Sequence, residues 1–423
     1  MIEAIRIKGG NPLIGNIEIL GAKNAALPLL CATLLTDQKL SFDRVPDLAD
    51  IKTLSALLIQ HGCEIKQNGN SFELTTQSIA SEVAPYQLVS MMRASILVLG
   101  PLLARHGAAK VALPGGCAIG SRPVDFHIRA MEALGAELEV KEGNVIARAP
   151  KGGLVGGRIN FPKVSVGATE NALMAASLAR GTTRIENAAR EPEIIDLGQL
   201  LISMGATISG LGTDTITIEG QSSLNGCQHS VVADRIVAGT FAVGAVITGG
   251  DLFLSGARGD HLTSLISLLE EAGANCVSSD DGVQVSMLKG SPKSFDIETR
   301  EHPGFPTDLQ AQVMALACIS SGTSTIRETI FENRFMHADE LVRLGADIQI
   351  HGNQATVRGS KRLSGARVKA TDLRAGAALA LAGLAASGET LVTALEHLDR
   401  GYDNFEEKLR GVGADLERIT LNA

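Results

Sequence analysis

Residues 131–149, MEALGAELEVKEGNVIARA, contain the pattern that predicts the fold of the whole chain. Apolar residues recur at helical spacing at the start. Gly135 follows at the point where a helix ends with least strain, because a residue without a side-chain carbon adopts the left-handed conformation readily. Apolar and polar residues then alternate on both sides of a turn at Gly143 and Asn144, which is typical of two paired strands. The stretch therefore predicts an amphipathic helix followed by a β-hairpin.

The same pattern occurs six times along the chain. Its glycines are Gly62, Gly135, Gly205, Gly273, Gly345 and Gly413, so successive copies lie 73, 70, 68, 72 and 68 residues apart. Each copy also has an almost wholly apolar segment upstream, such as AALPLLCATLL (25–35) or GAALALAGLAA (376–386). A helix without a polar face has to be surrounded by protein. A regular period of this length in a chain too long for one core predicts six repeats, three in each of two domains.

The composition limits the kinds of partner. With 46 acidic and 38 basic residues the net charge is −8, which argues against nucleic acid or an anionic membrane as a partner. The apolar runs are shorter than the roughly 18 residues of a membrane span, and the first residues lack a signal-peptide pattern. We therefore expect a cytoplasmic protein without a membrane segment. The oligomeric state stays open, and a monomer is compatible with the sequence.

Cysteine and histidine residues are scattered in a way that indicates neither disulfides nor metal. The six cysteines include no C-x-x-C pair, and the nine histidines include no H-x-x-x-H pair. We therefore expect reduced thiols and neither a metal ion nor a cofactor.

Cys117 differs from the other cysteines because it lies in a glycine-rich loop, LPGGCAIGSRP (113–123). Gly115 and Gly120 have the spacing of a phosphate-binding loop, but Ser121 stands where that motif requires lysine. Arg122 lies close by, and a helix is predicted to begin beyond Pro123. Such surroundings lower the pKa of a thiol. A reactive thiol and an inert small apolar residue are both compatible with the pattern.

Cationic residues recur at loop ends and helix starts of the repeats. A single arginine there would most simply be a surface ion-pair partner. Five arginines in such positions, together with Lys23, favour a shared anion site, because guanidinium groups match carboxylate and phosphate oxygens. These arginines are Arg93, Arg122, Arg334, Arg374 and Arg400.

Two aspartates, Asp308 and Asp372, each follow a threonine at a predicted helix start. Capping of the helix is the simplest interpretation. A carboxylate that faces a cleft beside cations could also act as a base. The sequence leaves both roles open, and it leaves Glu191 and Glu193 equally ambiguous as loop-ordering or helix-start carboxylates.

Nine motifs then follow one another from end to end: LGAKNAALP, MRAS, LPGGCAIGSRPVD, SVGAT, NAAREPEI, FPTDLQAQ, FENRFMH, ATDLRA and HLDRGY. In these motifs the chain resembles the UDP-N-acetylglucosamine enolpyruvyl transferases. The resemblance implies an α/β fold of two inside-out α/β barrel domains, each with three β-α-β-α-β-β units around buried helices. Residues 22–229 would form the domain with the cysteine loop. Residues 1–21 plus 230–423 would form the domain with the aspartate base, with the active site in the cleft between them.

The resemblance also implies an activity. The enolpyruvyl group of phosphoenolpyruvate would move to the 3-hydroxyl of UDP-N-acetylglucosamine with release of phosphate, the first committed step of peptidoglycan synthesis in cell wall biogenesis. No cofactor is implied, and the epoxide fosfomycin is expected to alkylate Cys117.

Residue roles carried over from the resemblance form three sets. The catalytic set has Cys117 as proton donor and site of a covalent adduct, Asp308 as base at the sugar hydroxyl, and the cations Lys23 and Arg400. Phosphoenolpyruvate would be bound by Lys23, Asn24, Arg122 and Arg400. The UDP-sugar would be held by Arg93, Arg122, Pro123, Val124, Asp125, Phe126, Lys163, Val164, Ser165, Val166, Asp308 and Ile330. Arg334 and Arg374 would hold the substrate carboxylate or support that site, with Asp372 as a further supporting residue.

Two alternatives remain beside this hypothesis. A 5-enolpyruvylshikimate-3-phosphate synthase-like transferase would share the fold, but it would carry serine-lysine-serine where this chain has GAKNAAL. A non-catalytic repeat scaffold would bind the sugar nucleotide without chemistry. Ala49 stands where some family members have lysine, so one cationic contact to phosphoenolpyruvate is expected to be absent.

Overall fold

A computed structural model describes residues 2–114, 124–288, 290–360 and 362–421. These residues form two compact units. Unit 1 contains the described residues of 2–20 and 233–421, and unit 2 contains 21–114 and 124–232. Each unit has its own core of buried apolar side chains.

The described part of the chain contains thirteen α-helices: α1 (Lys23–Cys31), α2 (Ala49–Gln60), α3 (Tyr86–Val89), α4 (Leu99–His106), α5 (Asp125–Ala133), α6 (Val166–Ala176), α7 (Pro192–Ser203), α8 (Arg235–Thr248), α9 (Thr263–Glu271), α10 (Gln310–Ala317), α11 (Ala338–Arg343), α12 (Leu373–Ala385) and α13 (Phe405–Gly411). Short 3₁₀ helices are Ala32–Leu35, Arg93–Val98, Gly259–His261, Thr307–Leu309 and Leu398–Arg400.

The strands of the same described residues are β1 (Ile2–Lys8), β2 (Ile14–Glu18), β3 (Leu40–Asp43), β4 (Glu64–Asn68), β5 (Ser71–Thr75), β6 (Val83–Ala84), β7 (Ala108–Ala112), β8 (Glu137–Lys141), β9 (Asn144–Arg148), β10 (Arg158–Asn160), β11 (Thr182–Glu186), β12 (Thr207–Ser209), β13 (Thr215–Glu219), β14 (Gln228–Ser230), β15 (Asp251–Ser255), β16 (Asn275–Ser279), β17 (Gly282–Ser286), β18 (Asp296–Glu298), β19 (Thr323–Arg327), β20 (Asp347–His351), β21 (Gln354–Arg358), β22 (Leu363–Ser364), β23 (Arg367–Lys369), β24 (Ala386–Ser387), β25 (Glu389–Thr393) and β26 (Asp415–Leu421).

Six four-stranded sheets repeat one arrangement within the described residues. In the sheet β18-β19-β21-β20, for example, β18 and β19 are parallel and the other neighbours are antiparallel. Helix α10 connects the parallel pair, α11 follows β19, and β20 and β21 form the hairpin. This order is the predicted β-α-β-α-β-β unit. The remaining four-stranded sheets are β14-β3-β5-β4, β6-β7-β9-β8, β10-β11-β13-β12, β16-β17-β15-β2 and β23-β25-β1-β26.

The apolar helices lie at the centre of each unit. In unit 1, α8, α10 and α12 pack against one another, and every residue from Arg374 to Leu384 of α12 is buried. In the strands of the surrounding sheets, buried residues alternate with half-buried or exposed ones, as in β21. Helices therefore form the core and sheets cover it, which confirms the predicted buried helices. Within the described residues, no helix combines the length and the apolar character that a bilayer crossing requires.

The glycines that end the amphipathic helices behave as predicted. All six have positive φ, from 86° at Gly135 to 105° at Gly205. At the opening stretch, α5 ends at Ala133, Gly135 follows, and β8 pairs with β9 in an antiparallel hairpin. A side chain at these positions would be forced into the left-handed region, at a cost of roughly 1–2 kcal/mol. The glycine that recurs in every repeat is therefore explained by the left-handed backbone conformation at the end of each amphipathic helix.

Candidate active site

Two arginines of unit 1 hold the carboxylate of Asp308. Arg334 donates from Nη2 to Oδ1 at 2.9 Å, and Arg374 donates from Nη2 to Oδ2 at 3.0 Å. The side chains of Arg334 and Arg374 are 5% and 6% exposed, whereas that of Asp308 is 27% exposed. The guanidinium groups favour the ionised carboxylate and fix its plane. The carboxylate still reaches solvent, so it can meet a ligand.

The two aspartates at predicted helix starts differ in the structure. Asp372 caps α12, because its Oδ1 accepts from the backbone N–H of Arg374 at 2.9 Å and of Ala375 at 3.1 Å. Asp308 lies inside the 3₁₀ helix Thr307–Leu309, and no side chain of the described residues caps the start of α10. Helix capping is therefore correct for Asp372 and wrong for Asp308, whose carboxylate pairs with arginines instead.

Of the predicted supporting residues, Arg334 and Arg374 contact Asp308, and Asp372 caps the helix that carries Arg374. For the two arginines, the geometry favours support of the site over direct contact with a substrate carboxylate, since each already donates to Asp308. Burial opposes the charge of Arg374, but neighbouring Asp308, Tyr402 and Asp234 outweigh it and raise the pKa of the guanidinium. The charge of Arg374 is consequently a fixed part of the site.

Tyr402 and Gln312 belong to this cluster although the sequence did not single them out as site residues. The guanidinium carbon of Arg374 lies 5.8 Å from the centre of the Tyr402 ring, within cation–π range. Gln312 Nε2 donates to the Tyr402 hydroxyl at 3.2 Å and to the carbonyl of Asp308 at 3.0 Å. The signal for Gln312 was its position at the end of the motif FPTDLQAQ, four residues after Asp308.

The direction of the bonds at Tyr402 follows from its neighbours. The hydroxyl of Thr240 donates to the carbonyl of Ile236 at 2.8 Å, so the Tyr402 hydroxyl has to donate to Thr240 across their 2.9 Å contact. Burial raises the pKa of Tyr402, which keeps the donating proton in place. Tyr402 therefore ties α8 to the short segment that carries Arg400.

The other predicted residues of unit 1 lie nearby in the chain. Arg400 ends the 3₁₀ helix Leu398–Arg400 and is partly exposed. Ile330 lies half-buried in the loop between β19 and Arg334. His337 is buried at the start of α11, and burial lowers its pKa to about 4, with Arg334 acting in the same direction and Asp372 opposing. His337 is consequently neutral at physiological pH.

In unit 2, Lys23 and Asp50 form a buried ion pair. Lys23 Nζ lies 3.0 Å from Asp50 Oδ2, and the two side chains are 10% and 6% exposed. Lys23 begins α1 and Asp50 lies in the first turn of α2. Asn24 and Ala49, their chain neighbours, are exposed. The ion pair therefore holds the ammonium group of Lys23 at the point where α1 and α2 begin.

A second group in unit 2 joins three segments that carry predicted UDP-sugar residues. Asn171 of α6 donates from Nδ2 to His127 Nδ1 at 3.0 Å and to the carbonyl of Ile96 at 3.0 Å. Its Oδ1 accepts from the backbone N–H of Gly100 at 2.7 Å. Burial lowers the pKa of His127 to about 3, and Arg93 adds to this effect. His127 is therefore a neutral acceptor.

The hydrogen bonds of Asn171 connect three helical segments whose first residues are predicted to bind the UDP-sugar. Asp125 and Phe126 open α5 just before His127, Arg93 opens the 3₁₀ helix Arg93–Val98, and Ser165 caps α6 by accepting from the N–H of Ala168. Val164 and Val166 flank that cap and are half-buried, whereas Lys163 is exposed and Val124 half-buried.

Three predicted site residues, Cys117, Arg122 and Pro123, lie outside the described residues. For the other five cysteines, burial raises the pKa, to about 11 for Cys276 and about 12 for Cys318. Those thiols are protonated at neutral pH and poor nucleophiles.

Glu191 and Glu193 belong to a buried acidic group in unit 2. Glu191 precedes α7 without a side-chain capping bond, and Glu193 lies in its first turn. Burial first, then Glu193 and Glu191, raise the pKa of Glu170. Among the described residues, no three acidic, cysteine or histidine side chains converge as a metal site would require.

One cavity of about 660 Å³ lies in unit 1 beside the ends of β23 and β25. Its lining includes Arg343, Lys369, Glu396 and Asp399 but none of the predicted ligand-binding residues that the structure describes. The cavity therefore does not mark the site around Asp308.

Comparison with known proteins finds carboxyvinyltransferases over almost the whole chain. The model of the EPSP synthase (3-phosphoshikimate 1-carboxyvinyltransferase) family matches residues 7–409. A UDP-N-acetylglucosamine 1-carboxyvinyltransferase from Rhodospirillum centenum is 55% identical over 428 residues, covering 99% of each chain. A protein of the same name from Paracoccus denitrificans is 56% identical over 420 residues, again covering 99% of each chain.

Solved structures share the fold. The enolpyruvyl transferase NikO from Streptomyces tendae superposes with a TM-score of 0.88 over 100% of both chains, at 24% identity. EPSP synthase from Acinetobacter baumannii gives a TM-score of 0.78 over 99% of this chain and 100% of its own, at 19% identity. These likenesses confirm the predicted fold class.

Proposed function

The chain belongs to the EPSP synthase (3-phosphoshikimate 1-carboxyvinyltransferase) family of enolpyruvyl transferases, and we infer that UDP-N-acetylglucosamine is its acceptor. It transfers the enolpyruvyl group of phosphoenolpyruvate to the 3-hydroxyl of this sugar nucleotide and releases phosphate. One observation carries the inference: relatives named for this activity are 55% and 56% identical over 99% of their length. The EPSP synthase itself is only 19% identical, which disfavours a shikimate acceptor.

We propose that the product enters peptidoglycan synthesis, and through it cell wall biogenesis, cell shape, the cell cycle and cell division; the name of the relatives supports the first of these steps. The cytoplasm is the proposed location because phosphoenolpyruvate is an intracellular metabolite. Both partners are then small molecules, and neither a cofactor nor nucleic acid is involved.

The reaction requires three proton movements. The sugar hydroxyl loses a proton as its oxygen adds to C2 of phosphoenolpyruvate, while C3 gains one; C3 then loses a proton as phosphate leaves. Asp308 is the proposed base for the hydroxyl. Its ionised, oriented and partly exposed carboxylate supports this role. Cys117 is the proposed donor to C3, as the family resemblance implies.

Binding of phosphoenolpyruvate is proposed for Lys23, Asn24, Arg122 and Arg400. Lys23 suits this task because Asp50 holds its ammonium group at the start of α1, where backbone N–H groups also favour anions. Fixed cations stabilise the charge that moves during addition and elimination. The prediction that both domains contribute to one active site stays a prediction.

Binding of the UDP-sugar is proposed for the segments around Arg93, Phe126 and Ser165, with Asp308 and Ile330. The hydrogen bonds of Asn171 to α4, to the 3₁₀ helix before it and to His127 support this assignment, because they hold three of these segments in one arrangement. A set of residues fixed before binding loses less entropy when ligand arrives.

The decisive experiment measures phosphate release from phosphoenolpyruvate with each acceptor separately. UDP-N-acetylglucosamine should support turnover and shikimate 3-phosphate should not, and Cys117→Ala should lose turnover. Turnover with shikimate 3-phosphate alone would reverse the assignment. Tight binding of the sugar nucleotide without phosphate release would favour a non-catalytic scaffold.

A further inference from the structure

Glu328 is a buried carboxylate that takes no part in the mechanism described above. It follows β19, and its residue is 2% exposed. A carboxylate is expensive to remove from water unless several donors reach it. Within the described residues its partners are hydroxyl and amide groups, and none is a cation.

The two oxygens of Glu328 bind different segments. Oε1 accepts from the backbone N–H of Ile330 at 2.8 Å and of Phe331 at 3.2 Å, which fixes the loop that leads to Arg334. Oε2 accepts from the hydroxyl of Thr307 at 2.8 Å. Thr307 directly precedes Asp308. One side chain therefore holds both segments whose side chains meet at Asp308.

A third contact anchors this arrangement to the sheet. The hydroxyl of Thr299, just after β18, donates to Glu328 Oε1 at 2.8 Å and accepts from the N–H of Thr329 at 2.9 Å. Glu328 is also connected to the turn between β20 and β21, because its N–H donates to the carbonyl of Asn353 at 2.8 Å. The hydrogen bonds of Glu328 to Thr307 and to the loop before Arg334 are thus made by a side chain that is itself anchored to the sheet.

We propose that Glu328, acting through Thr307, is a positioning residue that sets the orientation of the Asp308 carboxylate for proton transfer. The proposal rests on the function inferred above, in which Asp308 is the base. Glu328 does not touch substrate. It closes a ring through Thr307, Asp308, Arg334 and Ile330, so that the base cannot rotate away from its arginines. Misplacement of a reacting group by about 1 Å can reduce turnover by about 100-fold.

The test uses Thr307, because its removal from the ring changes one hydroxyl only. Thr307→Val keeps the shape but loses the bond to Oε2, and it should lower kcat by about 10- to 100-fold. Thr307→Ser keeps the hydroxyl and should restore turnover to within about threefold of the unmutated enzyme. Thr325→Val, in β19, is the matched control, and its kcat should be unchanged.

Glu328 variants provide an independent arm. Glu328→Gln can keep its oxygen toward the Ile330 and Phe331 amides and turn its NH₂ toward Thr307, whose hydroxyl can accept. It should retain kcat within about threefold. Glu328→Ala should lose at least tenfold in kcat, while Glu298→Ala, which removes the partly exposed ion pair of Glu298 on β18 with Arg300, should not.

Two readouts separate positioning from general damage. The KM for phosphoenolpyruvate and the rate of Cys117 alkylation by an epoxide should stay within about twofold in Thr307→Val. Unchanged kcat in Thr307→Val, or equal losses of kcat and of Cys117 alkylation, would overturn the proposal. If Glu328→Ala does not fold, the comparison of kcat between Thr307→Val and Thr307→Ser decides the proposal. If the unmutated enzyme releases no phosphate, the inferred function fails instead.

Discussion

Asp308 Oδ2 accepts a hydrogen bond of 3.0 Å from Arg374 Nη2 across 66 residues of sequence. Asp308 lies just before α10 and Arg374 lies in the first turn of α12, so both occupy the helix start of their own repeat. Repeats that pack their central helices together bring such equivalent positions into contact. The site in unit 1 is therefore assembled from helix starts.

Replacement of the base should abolish most turnover without loss of binding. Asp308→Asn keeps the shape, but its single carbonyl oxygen can accept from only one of the two arginines, and the amide cannot take up the proton of the sugar hydroxyl. We expect kcat to fall by about 10²- to 10⁴-fold. Phosphate release measures kcat, and calorimetry should show UDP-N-acetylglucosamine affinity within about tenfold. Asp339→Asn, exposed on α11, is the control; more than a tenth of the original kcat in Asp308→Asn would refute the role of base.

Removal of the buried lysine should impair phosphoenolpyruvate use. Lys23→Met keeps the aliphatic stem and removes the cation that Asp50 holds. The expected loss in kcat/KM for phosphoenolpyruvate is about 10²- to 10³-fold, the range for one fixed electrostatic contact. Lys52→Met is the comparison, since Lys52 pairs with Asp47 at the surface with 69% of its side chain exposed. Equal kcat/KM values in the two variants would contradict a role of Lys23 in binding.

Alkylation should be confined to one thiol. Burial raises the pKa of Cys31, Cys63, Cys227, Cys276 and Cys318, so these thiols remain protonated at pH 7. Treatment with fosfomycin should add one molecule to the chain, and Cys117→Ser should add none. Intact-mass analysis followed by peptide mapping checks this, and modification of any buried cysteine would argue against Cys117 as the reactive thiol.

The free energy of unfolding should fall as the pH is lowered, because two histidines are buried in their neutral form. The folded-state pKa is lowered to about 3 for His127 and to about 4 for His337, by burial in both cases. Below the ordinary pKa of about 6.5 the unfolded chain binds protons that the folded chain does not, so folding free energy is lost as pH falls. At pH 5 each histidine should account for about 2 kcal/mol of this loss.

The measurement compares urea midpoints at pH 7.5 and pH 5. His337→Gln removes one titrating group and should flatten the pH dependence, whereas His106→Gln, at an exposed position, should not. Identical pH dependence in His337→Gln and in the unmutated protein would show that His337 is not held neutral.

The repeat could be predicted from sequence because a local requirement marks each copy. A glycine with positive φ after every amphipathic helix leaves a visible period, and the hairpin after it alternates regularly. The buried helices could be predicted because their segments have no polar face. These features depend on neighbours in the chain.

The pairings of the site could not be predicted because their partners are far apart in sequence. Arg334 lies 26 residues from Asp308, and Tyr402 lies 162 from Thr240. Only helix packing makes them neighbours. The pattern Thr-Asp at a helix start also has two outcomes, a cap at Asp372 and an arginine-bound carboxylate at Asp308. The motif resemblance gave a role to Asp308, but it gave none to Gln312, which ends the same motif, and it did not include Glu328.

The first and last strands of the chain are hydrogen-bonded neighbours, with Lys8 opposite Asp415. On a ribosome, residues 21–232 emerge as one continuous stretch, so unit 2 has everything it needs to fold early. The sheet of β1 in unit 1 stays incomplete until β26 is translated, since β26 is its edge strand. Translation of β26 thus limits when unit 1 matures, and a premature stop that removes β26 leaves β1 with one unsatisfied edge.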